Sequence, residues 1–350
     1  MNIVINGDFL LKNITGVQRY AYEIVRHIDQ KLDENDYFNI ELLVPENSNV
    51  DFDLKKIKIV KFGKQRKFFW QQISLYKYCK KKQAICVCLC SMVPYLYAHR
   101  AIGVIHDAGT LAHPEFYRKK YLLYNKIFMW DVCKRYKAIV TVSQFSKNEI
   151  MKYCPYIHKK IRVIGNAADH VLDVKEDKEI LSKLKLEKYE YCYTVSSLSP
   201  NKNYKWIMEE AINNPKITFV ISGMNLNNFT RENMGKEQSN VIFTGYVSDN
   251  EMVTLMKYCK GFLFPTIYEG FGITPLEAIT LGAKIVVSNT PCMHEVYEDS
   301  ARYINPYKYD YKIDQLVDIK NKTEKVISKY SWDKSSVEFI KLFHDIGEQG

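Results

Sequence analysis

Two glutamates, Glu269 and Glu277, bracket the glycine-bearing stretch EGFGITPLE. The preceding GFLFPT (261–266) has the make-up of a buried strand, and PLEAITLG that of a short helix ended by Gly282. Thr274 is expected as the N-cap, Pro275 as the first helical residue and Glu277 as the third, a Thr-x-x-Glu capping box. Glu277 thus has a backbone role open to it, worth about 1 kcal/mol. Glu269 is harder to assign to the backbone. It lies just beyond a strand end and before Gly270-Phe271-Gly272, where Gly272 permits positive φ and close backbone approach. A helix N-terminus offers free N–H groups to an anion, most naturally a phosphate. Carboxylates accept hydrogen bonds from vicinal hydroxyls. Phosphate on the loop with an acid on each side describes a ligand joining phosphate to hydroxyl-rich rings, and a nucleotide sugar fits.

The elements that must position these residues alternate along the chain. Apolar, β-branched runs predict strands at 2–6, 40–44, 57–62, 84–90, 101–105 and 138–142, then at 191–196, 217–221, 240–244, 261–264 and 284–287. Between them lie helical patterns such as Val17, Tyr20, Ala21, Ile24, Val25 and Ile28, opened by Thr15 and Gln18 at capping-box spacing. Repeated strand–helix alternation implies parallel sheets wound by right-handed crossovers. A break is expected around 165–190. The reading is therefore α/β, with two doubly wound domains and a ligand cleft between them, ligands sitting at the carboxyl ends of the strands.

A length of 350 residues suits two domains, and no apolar run reaches the roughly 18 residues of a membrane span. MNIVINGDFLL reads as a first buried strand, without the parts of a signal peptide. The net charge of +10 is uneven: residues 1–170 carry +13 and residues 171–350 carry −3, with no acid between Asp53 and Asp107. That is a one-sided positive field. Nine cysteines form no CxxC pair and read as reduced, buried thiols; Cys86, Cys88 and Cys90 alternate onto one strand face, at the wrong spacing for common zinc sites. Asp51-Phe52-Asp53 lies in a polar connection and is not read as a metal motif. Neither GxGxxG nor a Walker A loop occurs, and no nucleic-acid-binding module is recognisable.

Seven segments occur in a telling order: ITGVQRYAYEI (14–24), VIHDAGTLAHPEFY (104–117), VTVSQFSKNEI (140–150), VSSLSPNKN (195–203), FTGYVSDNEM (243–252), the E-x7-E stretch itself, and SWDKSSVEF (331–339). Together they resemble glycosyltransferase family 4 (group 1 type), retaining enzymes of the GT-B fold, over nearly the whole chain. The resemblance implies two Rossmann-like domains facing each other across a cleft. Residues 1–168, completed by a crossover helix at about 331–350, would form the acceptor side, and 169–330 the nucleotide-sugar side.

The resemblance also implies roles. Glu277 would bind the ribose diol and Glu269 the donor-sugar hydroxyls. Amides from Gly270, Phe271, Gly272, Ile273 and Thr274 would meet sugar and diphosphate. Lys202, with Ser197 nearby, would neutralise the leaving diphosphate. Gly16 would approach the phosphates, His106 would face the donor sugar, and Tyr246 and Val247 would flank the base. Glu269, His106 and Lys202 are thus the expected catalytic residues. Many relatives carry an arginine near that lysine; here the places read Ser197 and Asn201, so either one cation on the diphosphate is missing or Arg19 or another side chain supplies it. The implied reaction is sugar transfer with retention from a nucleoside-diphosphate sugar, a substrate rather than a cofactor, with no metal. The acceptor would be a saccharide, free or carried on a polyprenyl diphosphate, in surface polysaccharide synthesis. Residues 55–82, rich in lysine and aromatics, are expected against anionic membrane or solvent. A cytoplasmic protein at the inner face of the cell membrane follows, with nucleic acid excluded as a partner. The competing readings are a catalytically silent sugar- or membrane-binding protein and a nucleotide-sugar epimerase.

Overall fold

Contacts within the computed structural model divide the chain into two units, Met1–Asn166 with Trp332–Gly350, and Ala167–Ser331. The structure describes all residues except 34–35, 65–66, 91–92, 128–132, 197–198, 224–237, 314–319 and 349–350.

The first unit is built on a parallel sheet of β1 (Asn2–Asn6), β2 (Asn39–Val44), β3 (Lys58–Lys61), β4 (Ile85–Cys88), β5 (Ala101–Val104), β6 (Ala138–Thr141) and β7 (Ile161–Val163). Their spatial order is β3-β2-β1-β4-β5-β6-β7. Helices cover both faces of such a sheet, so central strands such as β4 (ICVC) are buried throughout and read as unbroken apolar runs. The helix Gly16–Lys31 starts after Thr15 as expected, but the Thr15 hydroxyl bonds the Gln18 side chain instead of a backbone N–H. The C-terminal helix, Trp332–Glu348, packs beside it: the Tyr20 ring meets Trp332 at 6.0 Å and Phe339 at 6.4 Å. Phe52 of the Asp-Phe-Asp stretch is a core residue, 4.4 Å from the Tyr22 ring, and its two aspartates face solvent.

The lysine-rich segment after β3 contains a π-helical stretch, Trp70–Leu75, between Lys67–Phe69 and the helix Tyr76–Lys82. Trp70 is buried and its indole N–H donates to the Phe62 carbonyl at 2.7 Å. Gln71, Ser74, Leu75, Tyr78 and Cys79 continue that buried side, leaving Phe68 and Phe69 outside.

The second unit has β8 (Tyr191–Val195), β9 (Thr218–Ser222), β10 (Val241–Gly245), β11 (Gly261–Phe264), β12 (Ile285–Ser288) and β13 (Arg302–Ile304). The parallel order is β10-β9-β8-β11-β12-β13. Trp206, Phe219 and Leu263 anchor its core. Each sheet reverses its winding once, at β1/β4 in the first unit and at β8/β11 in the second. Ligand crevices of doubly wound sheets open at those switch points.

Candidate functional site

In the second unit the loops after β8 and β11 leave the switch point side by side. The first carries Lys202 at the end of a short turn, Pro200–Lys202; the second carries Glu269. The Lys202 ammonium lies 2.7 Å from Glu269 Oε1 and 5.1 Å from the centre of the Phe264 ring. The same carboxylate oxygen accepts from the Thr266 hydroxyl at 3.2 Å and the Asn201 amide at 3.3 Å. Asn201 is thus a neutral strut: its amide also donates to the Tyr268 carbonyl at 3.3 Å. The structure brings Lys202 and Glu269 together and adds Thr266 and Asn201 as supports, which spacing alone could not reveal.

Gly272 has φ 79° and caps the helix Ile273–Thr280. This corrects the expected start: the helix begins two residues earlier, and no side-chain cap is made by Thr274. The left-handed glycine ends the loop before Thr274 is reached, and Pro275 still falls in the first turn, where its missing N–H costs nothing. Glu277 is therefore released from the capping box. Its side chain turns into the unit and places Oε1 3.2 Å from His170 Nε2, both side chains almost wholly buried. Phe271 is buried edge-on against Tyr330, ring centres 5.1 Å apart. The Tyr297 hydroxyl donates to the Gly272 carbonyl and fixes the loop from below. Tyr246 is 68% exposed just past β10, with Val247 half-buried beside it. Ser197 lies outside the described residues.

In the first unit, a cavity of about 610 Å³ opens at the β1/β4 switch point. Its lining combines Asp8, Lys12, Gln71, His106 and Asp107 with apolar Leu11, Phe68 and Tyr121. Asp8 is buried and its Oδ2 accepts from Lys12 at 2.8 Å and Gln71 at 2.5 Å. His106 stacks edge-on under Tyr20 at 5.1 Å and its Nε2 meets the Leu89 carbonyl at 2.9 Å. A carbonyl only accepts, so Nε2 carries the proton and Nδ1 is left as an acceptor. Burial pushes the His106 pKa down to about 4, against a smaller opposing effect of the Leu89 carbonyl, and keeps the ring neutral near pH 7. Gly16 is exposed at the start of the first long helix, and Arg19 is buried, 3.5 Å from Glu23 of the same helix. Asp8 and Gln71 were not singled out from sequence, where nothing marks a lone acid after a first strand.

Residues 14–171 match the family model Glycosyltransferase Family 4, and residues 175–331 match Glycosyl transferases group 1. O-antigen chain mannosyltransferase B of Escherichia coli is 23% identical over 89% of this chain and 88% of its own length. The serotype-specific mannosyltransferase WbdA of Escherichia coli is 27% identical over 64% of this chain, a match that spans 28% of WbdA. Among solved structures, HepE of Anabaena, in complex with UDP and glucose, aligns with a TM-score of 0.72 at 14% identity, over 99% of this chain and 100% of its own. The two domain models fall in turn on the two sheets, each with its own switch point, and the chain is a glycosyltransferase of the GT-B fold.

Proposed function

We propose that the protein transfers a mannosyl residue, with retention at the anomeric carbon, from a nucleoside-diphosphate sugar to a saccharide acceptor in surface polysaccharide synthesis. The mannosyl and polysaccharide parts of the reading lean on the names of the relatives. The observation that carries the chemistry is the Lys202–Glu269 pair, 2.7 Å apart beside the glycine-capped helix. A cation, a carboxylate and the free N–H groups of a helix start are the three things a sugar diphosphate requires. In this reading the diphosphate takes Lys202 from Glu269, and the carboxylate is handed to the sugar hydroxyls. The backbone from Gly270 to Thr274 meets the phosphates, Glu277 the ribose diol, and Tyr246 and Val247 the base. His106, neutral with Nδ1 unprotonated, accepts from a sugar hydroxyl. Retention without a protein nucleophile needs orientation and charge stabilisation, with no acid/base pair of carboxylates.

The acceptor is assigned to the first unit's cavity, and residues 55–82 to the surface of an anionic membrane. Phe68 and Phe69 are exposed, as are Lys77, Lys80 and Lys81, in a stretch without acids after Asp53. The test is to supply GDP-, UDP- and ADP-linked mannose and glucose with a mannosylated acceptor, and to read nucleotide release and the anomeric configuration of the product by NMR. Release from a mannosyl donor with an α-to-α product supports the reading. An inverted product removes retention, and turnover confined to glucosyl donors removes the mannosyl assignment. Epimerised donor in the absence of acceptor would instead favour the epimerase.

A further inference from the structure

Glu277 is a carboxylate almost without solvent. Its side chain is 5% exposed, and the Lys202 ammonium is already engaged with Glu269. A buried carboxylate is tolerated only where a positive or hydrogen-bonding group stands against it. The imidazole of His170, 3% exposed, stands against it, with Nε2 3.2 Å from Glu277 Oε1 in a contact that lacks hydrogen-bond geometry. His170 belongs to the turn Asp169–Asp173, which is itself pinned: Val171 N–H donates to the Ala168 carbonyl at 3.1 Å, and the Ser331 hydroxyl lies 3.3 Å from Asp169 Oδ2. The carboxylate is therefore faced by a side chain whose own backbone is held, on an element separate from the helix that carries Glu277. Two buried phenols feel the carboxylate's charge, Tyr193, 2.5 Å from Ser222 Oγ, and Tyr297, bonded to the Gly272 carbonyl: burial pushes the pKa of each upward and the Glu277 charge adds to it.

We propose that His170 is the positioning residue for Glu277: by filling the buried space against Oε1 it confines the carboxylate so that Oε2 is presented to the ribose diol, and thereby sets donor affinity and the preference for ribose over 2′-deoxyribose. This rests on the ribose role given to Glu277 above. A carboxylate whose two torsions are fixed by a buried partner loses less conformational freedom on binding than a free one. Without the imidazole, the acid either rotates away from the diol or remains buried unpaired, and both outcomes weaken ribose binding. Because the effect is on a hydroxyl of the nucleoside and not on the reacting carbon, it falls on donor KM more than on kcat.

The experiment measures dissociation constants of GDP, UDP and ADP and of their 2′-deoxy counterparts for wild type, Glu277→Gln, His170→Leu and His170→Gln. With the best-bound base, wild type is expected to favour the ribonucleotide tenfold or more. His170→Leu should weaken ribonucleotide binding about tenfold and bring the ribose preference close to one, with kcat changed less than threefold. His170→Gln keeps an N–H near the Nε2 position and should recover most of the preference. Melting temperatures of the ligand-free variants separate folding from positioning. The proposal is overturned if His170→Leu keeps the wild-type preference while Glu277→Gln loses it, whether or not the leucine variant is less stable. If Glu277→Gln itself keeps the preference, the ribose assignment fails first, and the role of His170 falls with it.

Discussion

At the scale of single residues, the proposed chemistry turns on the Lys202–Glu269 contact. The two side chains are partly exposed, 28% and 15%, so a donor can reach them. Removing a group that stabilises developing charge on a leaving oxygen costs about 10²–10³ in turnover. Lys202→Met should therefore lower kcat by that factor, and Glu269→Ala should remove most turnover. Because the two touch, their effects should not add: a double-mutant cycle on donor binding is expected to show a coupling of about 0.5–3 kcal/mol. Additive losses would mean that the pair seen without ligand has no part in binding. His106 makes a separate, pH-dependent prediction. Its pKa in the folded chain, about 4, lies below the ordinary histidine value, so the unfolded chain binds the proton first as pH falls. The stability it contributes is complete above about pH 6.5 and is lost as the pH falls through about 4, a change on the order of 1–3 kcal/mol. Urea unfolding at pH 7, 5.5 and 4.5 should show that loss in wild type and a smaller one in His106→Gln.

At the scale of elements, the glycine-capped helix decides how the loop from Glu269 to Gly272 is held. A Cβ at position 272 would lie 2.9 Å from Met293 Cε and 3.2 Å from Phe264 Cε1, on a backbone of φ 79°. Left-handed strain and overpacking together should cost Gly272→Ala about 2–4 kcal/mol. Nucleotide binding should fall with it. Thr274→Ala, by contrast, should change ligand-free stability by no more than about 0.5 kcal/mol, whereas a capping threonine would cost about 1 kcal/mol. Chemical denaturation of the two variants distinguishes the observed helix start from the one the Thr-x-x-Glu spacing suggests. That spacing misled because two local signals competed, and the glycine, able to turn the chain left-handed, acts first. The strands were easier to read. Segments such as GFLF and AIVT are buried on both faces of a parallel sheet, and continuous apolar character survives in the sequence. β13, with Arg302 and Tyr303 in a three-residue strand, leaves no such trace. The π-helical stretch at Trp70 is equally silent, since its widened turn shifts the buried side away from any regular helical spacing. Pairs like Lys202–Glu269 and His170–Glu277 join distant parts of the chain, so their existence depends on strand order, which local pattern does not state.

At the scale of the whole molecule, charge is partitioned between the two halves of the chain, +13 over residues 1–170 and −3 over residues 171–350. Self-repulsion within one region is a cost that a folded protein carries without return unless something negative meets that region. No helix among the described residues is long and apolar enough to cross a membrane. The segment from Phe68 to Lys82 has the parts for contact with an anionic lipid surface. Phe68 and Phe69 project at one end, and Lys77, Lys80 and Lys81 remain exposed along the helix that follows. Buried Trp70 and Leu75 tie that stretch to the first unit's core, so the exposed side is presented by a fixed element. Each basic residue near an anionic surface contributes about 1 kcal/mol, and aromatic rings settle at headgroup depth. The protein should therefore sediment with vesicles containing phosphatidylglycerol and not with neutral phosphatidylcholine, and the binding should weaken steeply between 0.1 M and 0.5 M salt, about one Debye length giving way to less than half of it. Replacing both Lys80 and Lys81 by Ala should loosen binding by roughly 2 kcal/mol, or about thirtyfold. Phe68→Ser with Phe69→Ser should weaken it while leaving the salt dependence in place, because the rings contribute area and not charge. If the lysine variant binds vesicles as wild type does, the positive field serves an anionic acceptor in the cavity instead, and the same variant should then show its loss in acceptor KM measured without lipid.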